Sequence, residues 1–484
     1  MVRERHSGQN ELMARPQPRP RRGFAVASLC VSTVLAVSAG VGAGSASQAV
    51  SPAPAVSANL NWTVYHHDLR GSGLDTSGTS FSPATLAWTS PSLDGQLYGE
   101  PLEFAGRVFV ATENDTVYAL AAASGKVLWS RHLANPVPAG DLPCGNITPT
   151  VGITGTPVID PGRQELFAVA DELVSGTPAH KLVGLSLTTG AVMLNQSVDP
   201  PGSTPAAQLE RDGLTLDQGQ VVFGFGGNNG DCSTYHGWVV AVPVGGGTAK
   251  TFEVDAAAGE LRGAIWMGGA APVVDREGDV WVAAGNGSVT SSAGPYDNSD
   301  SVLELSSSLT LLQFFAPADW YSQNLNDADL GSSSPALLND GFVLQAGKSG
   351  TAYLMSKAAL GGIGGQVAEL GAVCSNVVDG GEAFNGNVVY APCRAGVEAL
   401  QVGSSPPSVT KLWQTTSGSG GPAIIAGGFV WTISQAGVLY ALSPTTGVVA
   451  QQFSIGAVAN HFPTPSVGDH LLLAPAATAV VAFK

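Results

Sequence analysis

Charge is scarce in this chain of 484 residues. Only 12% are Asp, Glu, Lys or Arg, and 21 basic side chains face 37 acidic ones. A formal net charge of −16 repels a polyanion, so nucleic acid is excluded as a partner. Long apolar runs are missing beyond the first fifty residues, and the remaining ones are strand-length, so the mature chain holds no transmembrane span. Neither a Gly-x-Ser-x-Gly elbow nor a Ser-His-Asp order occurs, which sets hydrolase chemistry aside. No Cys-x-x-Cys-His haem site is present either.

What the chain has in quantity is glycine (62) and proline (31), the residues many tight turns require. It also repeats itself. The segment from Val108 to Trp129 runs through a β-branched strand, a polar turn, a second strand, a Ser-Gly turn and a closing Trp. Phe429 to Gly447 has the same order of parts, and Lys181 to Gly190 preserves the second half. Self-similarity at roughly 35–45 residues, built of short strands and turns, signals an all-β propeller of four-stranded blades. Units open near Gly99, Gly155, Asp212, Ala270, Ser333, Gly380 and Gly420. An eighth begins at Thr464 and runs out after about three strands, and Leu86 to Ser90 reads as its missing fourth. The expectation is an eight-bladed β-propeller, with seven blades as the alternative, closed by strands from both termini so that no sheet edge is left open.

The first residues read as an address. Arg15 to Arg22 is basic, Phe24 to Val41 is apolar, and small residues follow to Ala49. Residues 1–49 are expected to be an export signal, of Sec or twin-arginine type given Arg21-Arg22, with a linker over 50–60 and one propeller domain over 61–484. The destination is extracellular or the cell envelope. Cleavage leaves 15 basic against 35 acidic side chains, an acidity that serves solubility.

Four cysteines survive cleavage, and in an exported protein an even count suggests two disulfides. The repeat register puts Cys144, Cys232, Cys374 and Cys393 on one face. It favours Cys144 with Cys232 and Cys374 with Cys393 among the three pairings that sequence allows. Long loops gather on the same face: 141–154, 226–237, 285–300 and 319–329. They direct Asn146, Asn228, Asp231, Asn286, Asp297, Asp327 and Asp329 toward one mouth, an oxygen-rich set that suits a hard cation, although Asn and Asp also simply make turns. His236, beside Tyr235, reads as a structural polar residue.

The ladder looks like the pyrroloquinoline quinone (PQQ) repeat, and from about Trp62 to Lys357 the order of motifs resembles the quinoprotein alcohol dehydrogenases. The resembling elements are Trp62-Thr-Val-Tyr-His-His-Asp68, Gly263-Ala-Ile-Trp266, Gly285-Asn286, Tyr296-Asp297-Asn298, Asp327-Ala328-Asp329 and Lys348. The resemblance implies an eight-bladed fold, with Trp266 as the floor for PQQ and Lys348 on the quinone carbonyl. It also implies that Asn286, Asp329 and Asp231 hold a Ca²⁺ or lanthanide ion and that Asp327 is the catalytic base. The family's ceiling is a disulfide between adjacent cysteines followed by an Arg. Here Cys144 occupies the cofactor-contacting position but is followed by Gly145 and Asn146, with no Arg nearby in sequence.

Two functions are therefore expected in competition. One is a PQQ- and metal-dependent oxidoreductase acting on a small-molecule or polymer alcohol. The other is a non-catalytic propeller that binds a surface protein or glycan, because the same ladder occurs in outer-membrane assembly scaffolds.

Overall fold

The computed structural model describes residues 60–484, apart from 258, 375, 376, 416, 417, 419, 460 and 461. Except for Leu60, the expected export signal and linker lie outside the described residues.

Eight antiparallel four-stranded sheets follow one another along the chain: blades 1 (102–132), 2 (158–197), 3 (215–253), 4 (273–316), 5 (336–370), 6 (383–414), 7 (423–454) and 8 (466–483). Blades 3 and 4 each carry one extra short strand. Seven of the expected openings lie three residues ahead of a blade's first strand, from Gly99 before Leu102 to Gly420 before Ala423. Blade 8 has three strands of its own and takes its outer strand from Leu86–Thr89, which pairs with Ala479–Phe483. The eight-bladed expectation holds, and so does the closure by both ends of the described chain.

Burial falls outward along each blade. In blade 1 the second strand, Arg107–Thr112, is buried beyond its first residue, whereas the outer strand, Val127–His132, is largely exposed. The closing Trp of the repeat explains how neighbouring blades lock. Trp129 of blade 1 lies over Gly190 of blade 2 and donates its indole N–H to Leu187 O at 3.1 Å. Trp88 of blade 8 lies over Gly125 of blade 1, and Trp413 of blade 6 over Gly447 of blade 7, with indole donors to Ala122 O and Pro444 O. All three glycines have φ between +65° and +69°, so the turn needs glycine twice over, for its conformation and for the ring above it.

Residues 60–85 form a strap along the innermost strands. Backbone carbonyls of Leu60, Thr63, Leu69, Ser72 and Gly73 accept from Asp469, Ile159, Val274, Phe384 and Ile425, which belong to blades 8, 2, 4, 6 and 7. The strap buries His66 against Tyr65, the rings stacked at 4.2 Å. Glu100 accepts from the His66 N–H at 2.9 Å, and Glu382 accepts from Ser333 Oγ at 3.0 Å. Acids buried in this region pay for desolvation with displaced protonation: burial pushes Asp212 and Glu382 up to about 8 and Glu113 up to about 7.

Two outcomes are expected. Gly190→Ala, which would put a methyl 2.6 Å from the Trp129 ring, should cost about 1–3 kcal/mol in urea unfolding. A carboxyl raised in the folded state favours folding below its unfolded value and loses that contribution as pH climbs through the folded value. With Glu113, Asp212 and Glu382 raised to about 7–8, the melting temperature should fall as pH is raised from 5 to 8. His66, lowered by burial to about 4, works the other way and should destabilise the ring progressively as pH falls below about 6.5.

Candidate functional site

A cavity of about 380 Å³ opens at one end of the ring, and four of the segments that line it carry the residues matched to the family motifs. The connection from blade 3 to blade 4 supplies Trp266, and the end of blade 4's second strand, Val280–Ala284, delivers Gly285 and Asn286. Before blade 5 the loop contains a short helix, α1 (Trp320–Asn326), that the repeat pattern did not announce. Asp327 caps it in the left-handed conformation, φ 53°, with its N–H on Gln323 O. The chain then turns back so that Asp329 O accepts the Lys348 N–H at 2.9 Å, at the end of blade 5's second strand.

These side chains form one hydrogen-bonded cluster. Asp329 accepts from the Asn286 backbone N–H at 2.7 Å through Oδ1 and is ion-paired to Lys348 Nζ through Oδ2. Asp327 Oδ1 accepts from Asn286 Nδ2 at 2.8 Å and lies 3.3 Å from Lys348 Nζ. The ammonium stands 5.3 Å from the centroid of the Trp266 ring, within reach of a cation–π attraction. Burial raises the Asp329 carboxyl, and Lys348 pulls it back; the two carboxylates in turn hold the Lys348 ammonium above its ordinary value. Asn286 Oδ1 is buried with no hydrogen-bond partner. Gly285 makes the approach possible, because a Cβ there would lie 2.5 Å from Asp329 Oδ1 and 3.2 Å from Trp266 Nε1.

Of the oxygen-bearing residues expected at the mouth, Asn146, Asn228, Asp231, Asn286, Asp327 and Asp329 line this cavity. Asp297 does not; it is buried behind the wall, holding Ser299 through both the backbone N–H and the hydroxyl. The Asp231 carboxylate is engaged by the Tyr235 hydroxyl at 2.7 Å and by Arg262 at 3.7 Å, rather than by Asn286 or Asp329. Cys144 lines a smaller neighbouring cavity of about 260 Å³ that shares Asn146, Leu209, Asn228 and Asn229 with the first.

The sequence reading missed Arg211, Arg394 and Phe462, all in the lining. It found no Arg beside Cys144, yet the fold brings two to the cavity from other blades. The Arg211 guanidinium lies over the Phe462 and Tyr98 rings at 5.3 and 5.2 Å, and Arg394 pairs with Asp379 at 3.2 Å. The only available hint was that Glu210-Arg211-Asp212 is a run of charge in a charge-poor chain.

The disulfides are Cys144–Cys232 and Cys374–Cys393, the favoured pairing. The first ties the connection between blades 1 and 2 to the loop of blade 3 that carries Asn228 and Asp231.

Residues 80–284 match the family model described as outer membrane protein assembly factor BamB. Among solved structures, a quinohemoprotein alcohol dehydrogenase from Pseudomonas putida superimposes with a TM-score of 0.67 at 14% identity, over 88% of this chain and 80% of that one. A europium-containing methanol dehydrogenase gives 0.62 at 13% identity, over 86% and 89%. BamB from Moraxella catarrhalis gives 0.53 at 14%, over 83% and 99%. No curated protein matches the sequence. The fold is thereby that of a β-propeller, with residues 80–284 similar to the BamB family model. Within it, the chain is similar both to the quinoprotein dehydrogenases and to the BamB-type propellers.

Cys144–Cys232 closes a loop over 88 residues of sequence separation. Replacing both cysteines by Ser should lower stability to urea by about 4.6 kcal/mol, the chain-entropy value for a loop of that size.

Proposed function

We propose that the cavity binds PQQ and that the protein oxidises an alcohol or hydroxylated substrate, outside the cytoplasm. The observation that carries the reading is the convergence of Trp266, Lys348, Asn286, Asp327 and Asp329 on one cavity. PQQ is a planar, tricarboxylated quinone. The fit is supported by an aromatic floor at Trp266 and by three cationic groups in the lining, Arg211, Lys348 and Arg394, matched to a polyanion. The orphaned Asn286 Oδ1 is a further acceptor waiting for a partner. For a hard cation, Ca²⁺ or a lanthanide, the donors are Asn286 and Asp329, with Asp231, which lines the same cavity, as a third. Such an ion would polarise the quinone carbonyl and would compete with the Lys348 ammonium for Asp329.

When bound, the quinone supplies the two-electron acceptor for the hydride that leaves the carbinol carbon. The chain supplies the proton acceptor and the charges around it. Asp327, its side chain 75% exposed, takes the hydroxyl proton, and Asn286 Nδ2 fixes the orientation of its carboxylate. Lys348 offers positive charge where negative charge develops. A second reading, a scaffold that presents its mouth to a surface protein or glycan, is supported by the match of residues 80–284 to the BamB model.

Titration of the purified protein with PQQ, with Ca²⁺ or La³⁺ present, decides between them. Trp fluorescence should be quenched in the wild-type protein, with affinity at least tenfold weaker in Trp266→Ala. The double variant Asp327→Ala, Asp329→Ala should lose dye-linked alcohol oxidation. Absence of quenching with either ion would reject the quinoprotein reading and leave the scaffold.

A further inference from the structure

Just outside the mouth, blade 3 gathers three groups that the mouth does not use. His236 precedes the third strand, Trp238–Pro243; Glu253 ends the fourth, Lys250–Glu253; and Asp255 follows two residues later. His236 Nδ1 lies 3.1 Å from Asp255 Oδ2 and 3.3 Å from Glu253 Oε1, and it makes no hydrogen bond to either. Asp255 is fully buried; its Oδ2 is in contact with His236, and its Oδ1 has no hydrogen-bond partner. A buried anion left in that state needs a positive counterpart.

The only candidate in contact, among the described residues, is His236. Among the described residues, the ion pairs of Glu253 and Asp255 are to His236 alone, which is neutral unless protonated. The contrast is with Asp275, Asp279 and Glu304 of blade 4, an otherwise similar group, where Lys357 already stands 3.0 Å from Asp275. Donor separations also fit. With metal–ligand bonds of roughly 2.0–2.2 Å, neighbouring donors around one ion lie about 3–3.5 Å apart. The backbone is fixed on both sides of the donors. Val254 N–H donates to Gly237 O, Gln208 Nε2 to His236 O, and Asn298 Nδ2 to Val254 O, while a Cβ at Gly237 would collide with Gly263 O.

We propose that His236, Glu253 and Asp255 bind a divalent transition cation of the Zn²⁺ class. One imidazole nitrogen and two carboxylates give a neutral complex, with the remaining coordination open on the side of the part-exposed His236 and Glu253. The ion would brace the loop that also carries Asp231, Cys232 and Tyr235 against the end of the same blade, and so stiffen one wall of the mouth.

The test is chelator stripping of the purified full chain followed by titration with Zn²⁺ and Co²⁺, reading stoichiometry by calorimetry and ligation by the Co²⁺ visible spectrum. One equivalent should bind. His236→Ala and Glu253→Gln, both at part-exposed positions, should each weaken it at least tenfold and change the Co²⁺ spectrum. Asp329→Asn, at the mouth, should leave it intact. No uptake by the wild-type protein, unchanged affinity in His236→Ala, or loss caused by Asp329→Asn would each overturn the proposal. Quinone binding is read separately, so failure here leaves the mouth reading standing.

Discussion

The contact on which the rest of the molecule depends is an indole lying on a bare glycine backbone. A blade has one apolar flank to hide on each side, and its neighbour must lie close enough to cover it. At three joints the outer strand of one blade lends a Trp to the turn of the next, where a positive-φ glycine leaves room for the ring and a turn carbonyl takes its N–H. Apolar burial sets the spacing, and the hydrogen bond sets the orientation. Where the Trp is missing, other groups fill the same place: the Leu194 side chain lies 3.0 Å from where a Cβ of Gly246 would be.

A ring locked in this way holds its two ends to different purposes. The strap fills the centre with backbone bonds from five of its residues to five blades, leaving the mouth as the accommodating end. There, charge is balanced locally. Lys348 answers Asp329, Arg394 answers Asp379, and Arg211 sits over aromatic rings, so each cation is held by the chain before any ligand arrives. A polyanionic guest would recruit cations already in position, with little ordering cost.

The fold was legible because blade spacing is a local property: strand, turn, strand, Ser-Gly or Thr-Gly turn, Trp. Trp266, Asn286, Asp327, Asp329 and Lys348 were singled out through their match to family motifs, and the fold brings all five to one cavity. Arg211 and Arg394 were not, because they come singly from blades remote in sequence and meet Trp266 only when the ring closes. Asp231 lines the cavity as the loop pattern suggested, but the hydrogen bond from Tyr235, four residues on, depends on how the loop folds and could not be read from the sequence. The helix before Asp327 interrupts a strand rhythm and is too short to show a period of its own. His236 was read as structural because its two acidic neighbours lie seventeen and nineteen residues away, brought to it by the register of Trp238 with Glu253.

The pairing of Leu86–Thr89 with Ala479–Phe483 has a consequence in the order of synthesis. The strand that completes blade 8 is translated ahead of all eight blades, and it has no sheet to join until the last of them has been made. The ring is therefore a clasp whose two halves are made with seven blades between them. Until it shuts, blade 1 lacks Trp88 over Gly125, and the wall that bears Cys144 rests on an unfinished neighbour.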